Sequence, residues 1–193
     1  MINLDTAQLV QTPFKHFAIK DCLAKSAGDK LLQWFETAAV WKDQEIPDFY
    51  SMNVLELTDA ELPQDIGWIN HPDCLRSVRS DLERLFSRKL LGAIKIDAHI
   101  MTPGHRIGIH TDFGSTKMTH RLVIQLNRGW AVSNGGRLVL LPERSPEESK
   151  EKQKIYFPLH CSAVGFEISD RSYHAVTPIL SGERYTLRYS VEE

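Results

Sequence analysis

The apolar positions of residues 72–89 recur at helical spacing. Leu75, Val78, Leu82, Leu85 and Phe86 fall on one face and arginines and aspartates on the other. Pro72 stands at the start, where its missing N–H is no loss. The spacing predicts a helix there, and a second over 24–38, where Leu31, Leu32, Phe35 and Ala38 share a face. From Gly92 the period changes to two. Gly92–Met101 alternates, with Ile94, Ile96, Ala98 and Ile100 on one side. Residues 121–127 set Leu122, Ile124 and Leu126 against Arg121, Val123 and Gln125. Further strands are predicted over 137–141, 155–159, 163–168, 175–179 and 184–191. Turn signals separate them, at Pro103-Gly104, Asn134-Gly135-Gly136 and Ser181-Gly182. So many short strands in about 100 residues predict a sandwich or barrel, with the two preceding helices bracing one sheet. The segment 143–154, charged with both signs, reads as a solvated loop.

Composition adds bounds. The chain has 193 residues, which suits a single domain over 1–193. Hydrophobic residues at 42% and charged residues at 25% are ordinary for a folded protein. A net charge of −2 supplies no bulk field for nucleic acid or an anionic membrane, so neither partner is expected. No apolar run approaches the roughly 18 residues of a membrane span, and no signal peptide is visible. Cys22, Cys74 and Cys161 are widely spaced and form no CxxC pair, which points to a reducing compartment, the cytoplasm.

The candidate chemistry begins at His110-Thr111-Asp112. On an extended segment residues i and i+2 point the same way, so an imidazole and a carboxylate are expected to project together. His174 stands at a strand start where the chain can return to face them. Two histidines and a carboxylate leave one side of a metal open, as Fe(II) oxygenases require. A zinc hydrolase would accept the same set. Arg184, on the next strand, has the fixed fork of donors that clamps a carboxylate. A metal triad beside such an arginine suggests a dicarboxylate that chelates at one end and is held at the other. His99 and His105 are read as decoys for metal ligands, His99 because it lies off the apolar face of its strand. Tyr50 and Trp68 are within possible reach of a pocket rim.

From about Ala93 to Ser190 the sequence resembles the 2-oxoglutarate- and Fe(II)-dependent dioxygenases, particularly their prolyl-hydroxylase-like branch. The matching elements come in order: Thr102-Pro103-Gly104, His110-Thr111-Asp112, Leu126-Asn127 with Trp130, Gly135-Gly136-Arg137-Leu138, Ser169-Asp170-Arg171 before His174, and then Val176, Pro178, Gly182 and Arg184-Tyr185. The resemblance implies a mainly β fold with flanking helices, a double-stranded β-helix or jelly roll. Residues 93–190 would form the catalytic core and 1–92 a helix/strand extension. It implies Fe(II) held by His110, Asp112 and His174, with O2 and 2-oxoglutarate as co-substrates. Arg184 would take the C5 carboxylate, helped by Gln125. The implied reaction is hydroxylation of an unactivated C–H bond in an amino acid, a peptide residue or a small molecule. Arg188 shares the strand face of Arg184, and two arginines on one wall call for a second anion, a protein carboxylate or an acidic group of the substrate; the latter is the expectation, with Arg188 as the substrate contact. The alternatives are a cupin-type dioxygenase or zinc hydrolase on a β roll, and a binding module without catalysis.

Overall fold

The structure is a computed structural model that describes residues 1–37, 40–114, 117–145 and 150–192. Its strands are β1 (His16–Ile19), β2 (Lys42–Ile46), β3 (Tyr50–Glu56), β4 (Ile94–Met101), β5 (Ile107–His110), β6 (Met118–Gln125), β7 (Leu138–Leu141), β8 (Lys154–Tyr156), β9 (Ser162–Glu167), β10 (Tyr173–Val176) and β11 (Arg184–Glu192). Two helices, α1 (Lys25–Thr37) and α2 (Pro72–Phe86), precede β4. All strand pairs are antiparallel, in the order β1-β9-β6-β11-β4-β3-β5-β10-β7-β8, with β2 hairpinned onto β3. The sheet curls at the β3–β5 seam, where the pairing reduces to Tyr50 opposite Ile107. One layer is then β1-β9-β6-β11-β4-β3 and the other β5-β10-β7-β8.

Two apolar clusters hold the layers. Leu31, Leu32 and Phe35 of α1 and Val78, Leu82 and Phe86 of α2 pack on Ile96, Leu122, Leu187 and Tyr189 of the larger layer. The second cluster joins Met101 and Phe166 of that layer to Leu138, Leu140 and Val176 of the smaller one. Both faces of β4 and β11 are therefore covered, and their burial runs nearly unbroken. The helices form where periodicity places them. Within the predicted helix over 24–38, Ala38 lies outside the described residues. α2 starts at Pro72, with His71 accepting from the Asp73 N–H, and ends at Ser87 in the left-handed conformation.

Of the segment 143–154, residues 146–149 lie outside the described residues, and Lys154 opens β8. Four strands had no predicted bounds: β1, β2 and β3, within the helix/strand extension expected over 1–92, and β5, where only an extended segment at His110–Asp112 was expected. Three of them lie before residue 93, where β1 borders β9 and β3 borders β4. Segments from both sides of residue 93 thus share one sheet. No described helix is long and apolar enough to cross a membrane.

Candidate metal centre and cavity

His110 ends β5 and His174 is the second residue of β10, and the two stand directly opposite in the pairing of these strands. Their ring centroids are 4.1 Å apart. Asp112 reaches them by a route other than the expected one. β5 stops at His110, and Asp112 has φ of +62°, the left-handed region that aspartate tolerates better than most residues. A turn, not strand alternation, aims its carboxylate back at the imidazoles. The next turn is tied to the same place, since Ser172 Oγ lies 3.2 Å from the Thr111 carbonyl oxygen.

The donor set has a definite chemistry. His110 Nδ1 lies 2.9 Å from the Gly108 carbonyl, and His174 Nδ1 lies 2.8 Å from that of Ser172. A carbonyl only accepts, so each Nδ1 carries a proton, and each ring in its neutral form presents the Nε2 lone pair. Those lone pairs meet the Asp112 carboxylate at 3.5 Å and 3.3 Å. Candidate ligand atoms of all three residues lie within 4.8 Å of one another. Acceptors converging in this way repel unless a cation stands between them, so the residues fit a divalent metal. Burial, and then the neighbouring His174, push the His110 imidazole down to about 4, which keeps it neutral for coordination. Burial alone would raise the Asp112 carboxyl, but contact with His174 and the charge of Arg121 hold it well below the ordinary range. The Arg121 guanidinium donates directly to Asp112 Oδ2 and, at 3.3 Å, to Ser190 Oγ.

Comparisons with known proteins agree with this geometry. Residues 96–190 match the family described as the 2OG-Fe(II) oxygenase superfamily, 2OG being 2-oxoglutarate. The chain belongs to that superfamily. Its cofactor chemistry is that of Fe(II), 2-oxoglutarate and O2, which decides against the hydrolase and binding-module alternatives. No curated protein sequence matches significantly. Among solved structures, a Pseudomonas putida prolyl-4-hydroxylase is similar at 14% identity and TM-score 0.73, over 98% of this chain and 95% of that one. A Trichoplax adhaerens prolyl hydroxylase, solved with a hypoxia inducible factor peptide fragment, gives 17% and 0.73 over 98% and 86%. A collagen prolyl hydroxylase of Paramecium bursaria Chlorella virus-1, solved with 2OG, gives 14% and 0.66 over 91% and 94%. At such identity these likenesses establish the fold, the jelly roll.

In this oxygenase a cavity of about 730 Å³ lies between the two layers. His110, Asp112 and His174 line it, as do Arg121, Arg184, Thr186, Arg188 and His99. Arg184 is buried, and its recorded bond is from Nη1 to the Met101 sulfur at 3.6 Å, while Nε has no partner. Burial lowers its pKa to about 10, so it stays charged at neutral pH. Gly136 makes room for it, and Gly135 makes room for the neighbouring Pro178–Leu180 backbone. A Cβ on Gly136 would stand 3.0 Å from Arg184 Cδ and 2.7 Å from Ile179 Cδ1, and one on Gly135 would collide with the Pro178 carbonyl at 2.1 Å. Gln125 faces the same way as Thr186, directly across the β6–β11 pair. It is buried with both amide atoms unpartnered, and it does not line the cavity.

The second anion beside Arg188 is a protein carboxylate. Arg188 Nε and Nη2 each donate to Asp97 at 2.8 Å, and His99 Nε2 lies 3.0 Å from the same aspartate. Burial would raise the Asp97 carboxyl, but Arg188 and His99 outweigh it and hold it well below the ordinary range. His99 is thus on the cavity wall, and its wrong parity for the apolar face was the sign of that. His105 instead accepts from the Thr102 N–H in its turn, at 3.2 Å. Tyr50 lines the cavity, whereas Trp68 packs on the helix-side core. Arg106 and Arg137 lie elsewhere: Arg106 bonds the Asp48 carbonyl, and Arg137 lies over Phe157. The pairing of Arg121 with Asp112 on the cavity wall was not foreseen. The signal for it was the parity of Arg121, opposite to Leu122 and Ile124 and shared with Gln125.

Proposed function

We propose that the chain hydroxylates an unactivated C–H bond of an amino acid, a peptide residue or a small molecule, with His110, Asp112 and His174 holding Fe(II) and Arg184 holding the C5 carboxylate of 2-oxoglutarate. The observation that carries this reading is the meeting of three acceptor groups within 4.8 Å in a cavity that also holds a buried, carboxylate-free arginine. When bound, the metal with its co-substrate and O2 supplies the oxidising power for C–H cleavage.

The residues do the rest. The Gly108 and Ser172 carbonyls fix the tautomer and direction of the two imidazoles. Asp112 is ionised and held by Arg121, which orients it. Arg184 sits in a dry wall, where a charged donor meets a carboxylate far more strongly than in water. Gln125, with two unpaired amide atoms, lies across from Thr186 on the same face but outside the cavity lining, so Arg184 alone is assigned to that carboxylate. The free, buried Cys22, Cys74 and Cys161 favour a cytoplasmic location, and nucleic acid and membrane are not expected partners.

The test is anaerobic loading with Fe(II), followed by metal analysis and measurement of succinate released from 2-oxoglutarate in air. Wild type is expected to retain one iron per chain and to release succinate. His110→Ala, Asp112→Ala and His174→Ala are each expected to lose both with the fold largely kept. Undiminished succinate from any two of these variants would remove the assignment.

A further inference from the structure

The charges around the cavity do not balance. Arg121, Arg184 and Arg188 line it, and among the described residues the carboxylates that meet them are Asp112 and Asp97. Fe(II) and the 2-oxoglutarate dianion cancel each other, so adding both leaves one positive charge over. Arg144, exposed at the mouth, adds to the excess. A buried site with surplus charge calls for a counterion.

The surplus has an address. Arg188 uses Nε and Nη2 on Asp97, and Arg121 uses Nη1 on Asp112 and Nε on Ser190. Among the described residues nothing bonds Arg188 Nη1 or Arg121 Nη2, and both residues line the cavity. The two side chains are diagonal neighbours, since Arg188 pairs with Val123 and Arg121 with Ser190 on adjacent strands. Two guanidinium groups on diagonal positions of one sheet face, both lining the cavity, can receive one carboxylate between them.

The remaining surface limits what that carboxylate is attached to. Ile107, Met118, Val123, Leu138 and Val176 line the walls, and Phe113 and Ile46 stand 60% and 50% exposed at the mouth. Both carboxylates of the site are already bound to arginines, which leaves no anion there for a substrate ammonium group. We propose that the prime substrate carries a carboxylate received by Arg188 and Arg121, on an otherwise apolar and uncharged body. This rests on the assignment of the metal and co-substrate above and names the substrate class for that site.

The probe is a series of straight-chain monocarboxylates, butyrate to octanoate, each compared with its primary amide. Fe(II) and 2-oxoglutarate are bound without O2, and the visible charge-transfer band of the chelate is followed on titration. The acids are expected to perturb the band at concentrations roughly ten- to a hundredfold below their amides, the ratio a charge-assisted pair confers. Arg188→Met is expected to collapse that ratio. Because it leaves Asp97 buried and unpaired, Asp97→Asn is a second variant: it frees the whole Arg188 fork and should tighten the acids while leaving the amides alone. Equal response to acids and amides with the band intact would overturn this inference and leave the cofactor assignment standing. Loss of the band on adding acid would also overturn it, because the acid would then be displacing 2-oxoglutarate. A band that never forms would overturn the assignment beneath it.

Discussion

Arg184→Met should make the ligand-free protein more stable and at the same time blind it to 2-oxoglutarate. Arg184 is 3% exposed, and its one recorded bond is a weak one to sulfur. Burial lowers its pKa by more than two units from the ordinary arginine range, to about 10. At about 1.4 kcal/mol per pKa unit, the unpaired cation costs the ligand-free fold up to about 3 kcal/mol. Methionine has a similar length and no charge to desolvate, and Met101 is already a neighbour, so most of that cost should disappear. Binding should move the other way. Truncating one partner of a buried charge pair costs about 2–5 kcal/mol, which is a thirtyfold or greater loss of affinity. Urea denaturation with and without metal and 2-oxoglutarate reads both effects. With metal present throughout, wild type should gain about 2.7 kcal/mol from 2-oxoglutarate at a hundred times its Kd, and the variant should gain about 0.9 kcal/mol or less at that concentration. A variant that is less stable without ligand and still gains the full increment would refute the reasoning, and Arg184 would then be a structural residue.

Three further outcomes follow from the packing. Gly136→Ala places a Cβ on a backbone with φ of +63° and against Arg184 Cδ, so it should lose roughly 1–2 kcal/mol in thermal unfolding and raise the KM for 2-oxoglutarate; an unchanged KM would sever the link between that turn and Arg184. Arg184→Gln should raise the same KM by an order of magnitude or more, since a charge-assisted bond contributes about 1.5–3 kcal/mol, while iron content stays near wild type. His120 is buried against Phe86, and burial pushes its pKa from 6.5 to about 4, so between these values the unfolded chain binds a proton that the fold refuses. Its contribution is complete above pH 6.5 and is lost as pH falls toward 4, with a slope of up to about 1.4 kcal/mol per pH unit. His120→Leu should flatten that part of the stability profile, and an unchanged slope would contradict the assignment.

Much of the core and most of the site could be read from residues. The stripe of α2 and the alternation of β4 and β11 are strong because both elements are long and pack on the main apolar cluster. His110, Asp112, His174 and Arg184 were readable as residue types in order. The strands that escaped are short or weakly buried. β2 reads Lys-Asp-Gln-Glu-Ile, is exposed throughout, and is held by its single partner β3. β5 has four half-buried residues, and its alternation continues into a turn that breaks it before Asp112. Parity alone put Arg188 on the face of Arg184, and it assigned Arg121 no role. The partner of Arg188 is not local: Asp97 lies 91 residues before it, and only the β4–β11 pairing brings the two together.

The central claim is that His110, Asp112 and His174 hold the iron at which 2-oxoglutarate is oxidised. Turnover under ¹⁸O2 with mass analysis of the succinate addresses it directly. One oxygen atom of O2 must enter the carboxylate formed as CO2 leaves. Wild type should release succinate carrying a single ¹⁸O, and Asp112→Ala should release none. Succinate without the label from wild type, or labelled succinate at the wild-type rate from Asp112→Ala, would contradict the account.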